Sequence, residues 1–385
     1  MQRPTKFPRD SDFPRSALNS WPGQIVLVLQ GGGALGSYQA GVYQALHEGG
    51  MEPDWIVGTS IGAINASLIA GNEPQRRLER LNDFWSRVQR RTAWDLRGGL
   101  GKKWSYWATL TRGIPGFFSP NPLAHAGESF PLGADHAGYY STAPLERTLS
   151  ELVNFDVINQ GRVRLTVGAA HVRTSQMQYF DSRRCKIDLK HIMASGALPP
   201  GFPAVRVNGE LYWDGGILSN TPTEVVFDEN PRKDSLIFTV HLWNPVGPEP
   251  TTMAEVLNRQ KDVQYSSRIA SQITRHQQTH RLRHVINELA ARLPDCERDR
   301  PEVNELMSCG CQTRMHVVRF LAPQLDHEDH TKDVDFSPAG IKERWSAGYA
   351  HAKAVLAREP WVGQFDPLSG VILHEAGDSA ALTAE

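Results

Sequence analysis

The sequence predicts an α/β protein built on a mostly parallel central sheet with covering helices, and three observations lead there. Two strand–turn–helix units follow one another between Ile25 and Ala70, each opening on a continuous apolar run of the kind buried on both faces of a sheet. Consecutive units of this sort close into parallel neighbours through right-handed crossovers. Further short β-branched runs recur downstream, as RLTVGAA, SLIFTVH and MHVVRFL. A composition of 40% hydrophobic residues with 33 Gly and 25 Pro is too apolar for disorder and too rich in turns for a coiled coil.

In chain order, residues 1–23 carry Pro4, Pro8, Pro14 and Pro22 and read as an extended arm. Ile25–Leu29 is the first strand, followed by a helix from Ser37 to Glu48 with Ala40, Val42, Tyr43 and Leu46 on its apolar face and Gly49-Gly50 as its stop. Trp55-Ile56-Val57 is the second strand, and Ala63–Ala70 its helix, ended by Gly71. Further strands are expected at Arg164–Ala170, Gln178–Asp181, Glu210–Trp213, Ser235–His241 and Met315–Leu321. Residues 92–145 are longer than an ordinary connection and rich in Gly, Pro and aromatics, which makes them a candidate insertion or lid. From Met253 the pattern turns helical, and Ser337-Pro338 opens an amphipathic helix to about Ala357, with Ser as N-cap and Pro at the first position. The expected organisation is an arm (1–23), an α/β domain (24–245), a mainly helical extension (246–364) and a flexible tail (365–385).

Lys plus Arg number 41 and Asp plus Glu 42, a net charge of -1, so the electrostatic footprint of a nucleic-acid binder is absent and no nucleic-acid partner is expected. That neutrality hides a basic stretch: residues 256–293 hold seven Lys or Arg against two acids. The four cysteines do not make a disulfide scaffold, and the polar, proline-broken start lacks the apolar centre of a secretory leader. The longest apolar runs fall short of the ~20 residues that span a bilayer. A cytoplasmic protein with reduced thiols is therefore expected.

Gly31, Gly33 and Gly36 lie between a strand and a helix and formally match the dinucleotide fingerprint G-x-G-x-x-G. That reading requires an acid at the end of the second strand. Glu52 and Asp54 precede the strand instead, and its end is Gly58-Thr59-Ser60. The competing reading is an anion cradle: backbone N–H groups of Gly31, Gly32 and Gly33 converge on one point, with the following helix adding the positive end of its dipole. Such a loop suits a developing oxyanion.

Gly58-Thr59-Ser60-Ile61-Gly62 is G-x-S-x-G after a strand and at the start of a helix, the context of a nucleophile elbow. Gly58 and Gly62 leave room for the tight turn that lifts Ser60 off the sheet, and the N–H of Ile61 is available to the same oxyanion. A serine hydroxyl needs a base. Asp214, at the end of the Leu211-Tyr212-Trp213 strand and before the Gly215-Gly216 turn, is the candidate; alone, D-G-G also reads as an ordinary tight turn. His241, at the end of another strand, is the rival base of a Ser–His arrangement.

The blocks Gly31-Gly32-Gly33-Ala34-Leu35-Gly36, Gly58-Thr59-Ser60-Ile61-Gly62, Ala194-Ser195-Gly196-Ala197-Leu198-Pro199 and Asp214-Gly215-Gly216, in that order, resemble the patatin-like phospholipase family. The resemblance covers about residues 25–222 and the strand that follows. It implies a three-layer sandwich with a mostly parallel sheet, a Ser60–Asp214 dyad, and hydrolysis of lipid carboxyl esters of phospholipase A or lysophospholipase type without metal or organic cofactor. Alternative substrates are glycerides or intracellular polyester oligomers, and the alternative class is a non-catalytic lipid-binding scaffold. Many members carry Lys or Arg where this chain has Leu35. The downstream region resembles the C-terminal extension found on some bacterial patatin-like proteins.

Residues 94–118 interleave Trp94, Trp104, Trp107, Phe117 and Phe118 with Arg97, Lys102, Lys103 and Arg112, a pattern suited to peripheral membrane contact or to a packed insertion. His276, His280 and His284 share one helix face with Ile273; this reads as a packing surface or homo-oligomer seam rather than a zinc site, because no carboxylate or cysteine joins them at ligand spacing. Cys296, Cys309 and Cys311 lack a fourth ligand, so no metal site is assigned.

Overall fold

The computed structural model describes residues 23–90, 111–126, 130–266, 269–325 and 328–375. The N-terminal arm and the tryptophans at 94, 104 and 107 lie outside them. A nine-stranded sheet, in spatial order β11-β10-β9-β1-β2-β5-β8-β7 with β6 also on β5, forms the middle layer. Its strands are β1 (Gln24–Leu29), β2 (Trp55–Thr59), β5 (Arg164–His171), β6 (Met177–Asp181), β7 (Val205–Val207), β8 (Glu210–Asp214), β9 (Ser235–His241), β10 (Met315–Leu321) and β11 (Val371–Glu375). The remaining pair, β3 (Ser119–Pro120) and β4 (Tyr140–Ser141), is a separate small ribbon. The helices are α1 (Ser37–Glu48), α2 (Ile61–Ala70), α3 (Pro74–Arg87), α4 (Ala143–Leu152), α5 (Phe155–Asn159), α6 (Leu189–Ser195), α7 (Glu224–Phe227), α8 (Met253–Ser266), α9 (Ile269–Ala291), α10 (Asp295–Arg298), α11 (Pro301–Ser308) and α12 (Pro338–Arg358).

β1 pairs parallel with both β2 and β9, and β2 with β5, so the strands the sequence read as doubly buried are the centre of the sheet. Every residue from Val26 to Leu29 and from Trp55 to Thr59 is buried. β6 and β8 run antiparallel to β5: β6 turns straight back from it, whereas β8 arrives later, after α6, as the second strand of the β7–β8 hairpin. That reversal brings Asp214 opposite Ala169, at the carboxyl end of β5 and next to the end of β2.

The expected boundary near residue 245 does not separate two packing units. β10 pairs parallel with β9 over seven residues, and β11 pairs parallel with β10. α12 lies directly on α1: a Cβ on Gly41 would come within 1.9 Å of the Trp345 carbonyl oxygen, and one on Gly348 within 2.1 Å of that of Tyr38. Two glycines thus let the helix backbones touch, and the C-terminal third shares the core of the first. The tail also differs from expectation. Val371–Glu375 is an ordered edge strand because Val371 caps the second core layer, His374 stacks on His316 and Glu375 pairs with Arg319.

The His276–His284 stripe is a packing face: His276 stacks on Phe227, His280 is buried, and His284 bonds the carbonyls of Thr313 and Pro367. Among the described residues, no cluster of His, Cys, Asp and Glu is placed to hold a metal ion, and no helix is long and apolar enough to cross a membrane.

Candidate active site

Ser60 sits at the junction of β2 and α2 with φ 56° and ψ -124°, a backbone conformation that non-glycine residues rarely adopt and that marks a strained, over-determined turn. The two flanking glycines explain how the turn closes. A Cβ on Gly62 would lie 2.2 Å from the Leu29 carbonyl oxygen, and one on Gly58 2.5 Å from the Gly62 backbone. The elbow is therefore clamped against the end of β1. The Ser60 N–H donates to Ser195 Oγ (3.0 Å), and Ser195 in turn donates to the Gly168 carbonyl (2.6 Å), which ties the elbow to the end of β5 through α6.

Asp214 is buried at the end of β8, with its N–H donating to Ala197 O (3.0 Å). The Gly216 N–H donates to Asp214 Oδ1 (2.7 Å), and the Ser60 side chain faces the same carboxyl across the cavity. Burial pushes this carboxyl up from 3.8 to about 6, against the opposite pull of the nearby Ser60 hydroxyl and of the Gly216 N–H. Gly215 carries no side chain because a Cβ there would lie 2.5 Å from Gly168 O.

The glycine loop departs from expectation at one residue. Gly31 does not offer its N–H to the site: that group donates to Asn220 O (3.1 Å), while Gly31 O accepts from Trp243 Nε1 (2.8 Å) and Asn220 Nδ2 (3.2 Å). The N–H groups of Gly32, Gly33 and Ile61 have no protein acceptor among the described residues, and all three residues line the cavity above Ser60. Gly33 holds φ 57°, and a Cβ on it would collide with Asp333 O at 2.2 Å. Leu35 faces away from this cavity, into a core niche beside Tyr38 and Leu242. The absence of a basic residue at that position leaves the Ser60 side of the loop unchanged.

His241 is excluded as a partner of Ser60 by position. It is buried, shares a hydrogen bond with Thr239 Oγ1 (3.1 Å), and is held down to about 3 by desolvation and by Arg319. No histidine is among the described residues that line the cavity.

The cavity has a volume of about 140 Å³. Ser60 and Asp214 lie on its polar floor, and Phe117, Phe118, Phe202 and Phe336 form an aromatic wall with ring centroids 5.5–6.3 Å apart. Phe117 and Phe118, two of the aromatics in the 94–118 run, are thus packed residues.

Several lining or supporting residues had no signal of their own in the sequence. Tyr265, Asp333 and Val334 reach the cavity from the C-terminal third. Gln30 cross-braces the loop, its Oε1 accepting from Trp243 N (3.2 Å) and its Nε2 donating to Tyr265 O (3.3 Å). Beneath them, Lys332 pairs with Asp262 (2.8 Å), both almost fully buried, and lies 5.3 Å from the Trp243 ring. Only Ser195 and Asn220 fall within or beside motif blocks that the sequence displays.

A parallel sheet that lifts a strained serine onto a buried carboxylate, facing unpaired backbone N–H groups, is the arrangement by which α/β proteins make a serine nucleophilic. A family model described as patatin-like phospholipase matches residues 27–227, and a second, described as patatin phospholipase, matches residues 263–368. The chain belongs to the patatin-like phospholipase family. Lysophospholipase nte1 of Aspergillus terreus is 26% identical over 275 residues, 66% of this chain and 16% of that protein. Lysophospholipase NTE1 of Cryptococcus neoformans is 27% identical over 246 residues, 64% of this chain and 13% of that protein. Patatin-like phospholipase domain-containing protein 7 of Mus musculus is 49% identical over 69 residues, 18% of this chain and 5% of that protein. The chain therefore spans less than a fifth of the length of these relatives.

Proposed function

We propose that this protein hydrolyses carboxyl esters of lipids, of phospholipase A or lysophospholipase type, through Ser60 as nucleophile and Asp214 as its base. The observation that carries the reading is that Ser60, on its strained turn, and the buried Asp214 line the same aromatic-walled cavity. Asp214 takes the hydroxyl proton as Ser60 Oγ attacks the ester carbonyl. The oxyanion then lies against the N–H groups of Gly32, Gly33 and Ile61, donors fixed before the reaction begins. Asp214 passes the proton to the departing alcohol, which leaves an acyl-enzyme. It next takes a proton from water as the water oxygen attacks the acyl carbonyl, and returns that proton to Ser60 Oγ as the Ser60–acyl bond breaks and the fatty acid is released.

The apolar wall receives the acyl chain and the polar floor the ester. A lysophospholipid is the first substrate to try, in keeping with the names of the two fungal relatives. The test is labelling by a fluorophosphonate, with Ser60→Ala as control, followed by a panel of lysophospholipid, diacyl phospholipid and glyceride esters. Labelling that persists in Ser60→Ala sinks the assignment of the nucleophile.

A further inference from the structure

We propose that Tyr265, on α8, is a further catalytic residue, its hydroxyl donating a hydrogen bond to the oxygen of the departing alcohol as Ser60 is acylated; this rests on the ester-hydrolase reading above. The lining of the cavity divides by chemistry. Phe117, Phe118, Phe202 and Phe336 cluster together and offer no hydrogen-bonding side chain. Asn220, Trp243, Tyr265 and Asp333 line the part beside the glycine loop. A fatty-acid ester has the same two halves, so the acyl chain suits the phenylalanines and the alcohol meets the polar side.

On that polar side the other donors are already committed. Trp243 Nε1 donates to Gly31 O (2.8 Å), and Asn220 Nδ2 donates to Gly31 O (3.2 Å) and to Tyr265 O (3.4 Å). Asp333 is an acceptor held by Lys261 (2.7 Å). The Tyr265 hydroxyl has no protein partner among the described residues. Its position is nonetheless fixed twice over. The ring packs 4.9 Å from that of Trp243, and the Tyr265 carbonyl accepts from Gln30 Nε2 (3.3 Å) as well as from Asn220. Gln30 and Asn220 also brace the glycine loop, so the hydroxyl is held in register with the donors that face the oxyanion.

Burial and the nearby carboxyls of Asp214 and Asp333 push the phenol above its ordinary range, so it keeps its proton wherever Asp214 is ionised. It therefore acts as a hydrogen-bond donor and not as an acid. When the tetrahedral intermediate collapses, the bond between its central carbon and the alcohol oxygen breaks, and the electron pair stays on that oxygen. Asp214 delivers the proton it took from Ser60, while Tyr265 stabilises the growing negative charge and retains its own proton. The C-terminal third thus supplies a group to the reaction as well as a wall to the cavity.

The experiment compares the full chain with Tyr265→Phe, which keeps the ring against Trp243, on two esters of one acyl chain: monooctanoylglycerol and 4-nitrophenyl octanoate. Fluorophosphonate labelling of Ser60 counts the competent sites, so that rates refer to folded protein. Glycerol departs as an alkoxide in need of stabilisation, whereas 4-nitrophenolate carries its charge on its own ring and nitro group. The ratio kcat/KM reports binding and acylation but not the deacylation step that both esters share. It is expected to fall roughly tenfold to hundredfold further on the glycerol ester than on the nitrophenyl ester. An equal loss on both makes Tyr265 a packing residue and overturns the proposal, and so does no loss on either. A rise in KM for octanoyl lysophosphatidylcholine, with the ratio between the two test esters unmoved, assigns the hydroxyl to the headgroup and overturns it as well. A wild type that hydrolyses none of these esters overturns the hydrolase reading and this proposal together; one that hydrolyses them leaves the variant to decide the role of Tyr265 alone.

Discussion

The two parts of this molecule that meet at the active site are built by different rules. Residues 24–227 build the candidate site with backbone geometry: a strained serine, glycines that touch carbonyl oxygens, and a carboxylate at a strand end. Residues 235–375 contribute the outer strands, the helix that lies on α1, and the wall made by Tyr265, Asp333, Val334 and Phe336, all with ordinary side-chain packing and buried ion pairs. The first part tolerates almost no substitution at its turns, so it writes motifs into the sequence. The second can reach the same packing with many residue choices, so it does not. Yet the two are one core, as the approach of Gly41 to the Trp345 carbonyl and of Gly348 to the Tyr38 carbonyl shows.

The sharpest test of this contrast is chemical. Ser60→Ala and Asp214→Asn are each expected to lower ester hydrolysis by roughly a thousandfold or more, whereas His241→Asn, corrected for the amount of folded protein, stays within about twofold of wild type. Loss of activity in His241→Asn with Asp214→Asn still active would reverse the assignment.

Next in size is Gly348→Leu, which forces a side chain into the α1 backbone. We expect a loss of about 3 kcal/mol or more, seen as one cooperative unfolding transition shifted as a whole. Two transitions, only one of them moved, would show that the C-terminal third folds separately.

The pH dependence reads the burial of Asp214. Its folded value of about 6 lies above the ordinary 3.8, so the folded chain holds that proton more tightly than the unfolded chain. The stability this contributes is fully present below about pH 4 and is lost as pH rises through about 6, an effect on the order of 3 kcal/mol. Activity runs the other way, because only the carboxylate can take the serine proton. Thus kcat/KM should fall tenfold per unit below about pH 6, and Asp214→Asn should flatten the matching stability change in denaturant titrations.

A smaller effect is expected from Ser195→Ala, which removes the acceptor of the Ser60 N–H. Stability should drop by about 1–3 kcal/mol, with kcat reduced more than KM is raised, since Ser195 positions the elbow and does not line the cavity. The smallest change is a matter of preference. Phe202→Ala opens the aromatic wall, and a panel of esters should show optimum chain length moving upward by a few carbons, with hydrolysis of the shortest esters little altered; an unmoved optimum would place the acyl chain elsewhere.

The sequence alone determined the central strands, the elbow and the turn after Asp214. A doubly buried strand must be a continuous apolar run, and a turn in which backbones nearly touch must be glycine, so both leave marks that can be read locally. Tertiary structure decided the rest. It put Asp214, and not His241, in the cavity with Ser60, because which of two strand ends reaches that cavity depends on the antiparallel run of β8 beside β5. It gave the Gly31 N–H to Asn220, a partner far away in the chain, and it joined β10 and β11 to the sheet that β1 began. It also turned the apolar side of α8 outward, since only the folded chain brings Lys332 and Asp333 to the polar side of that helix.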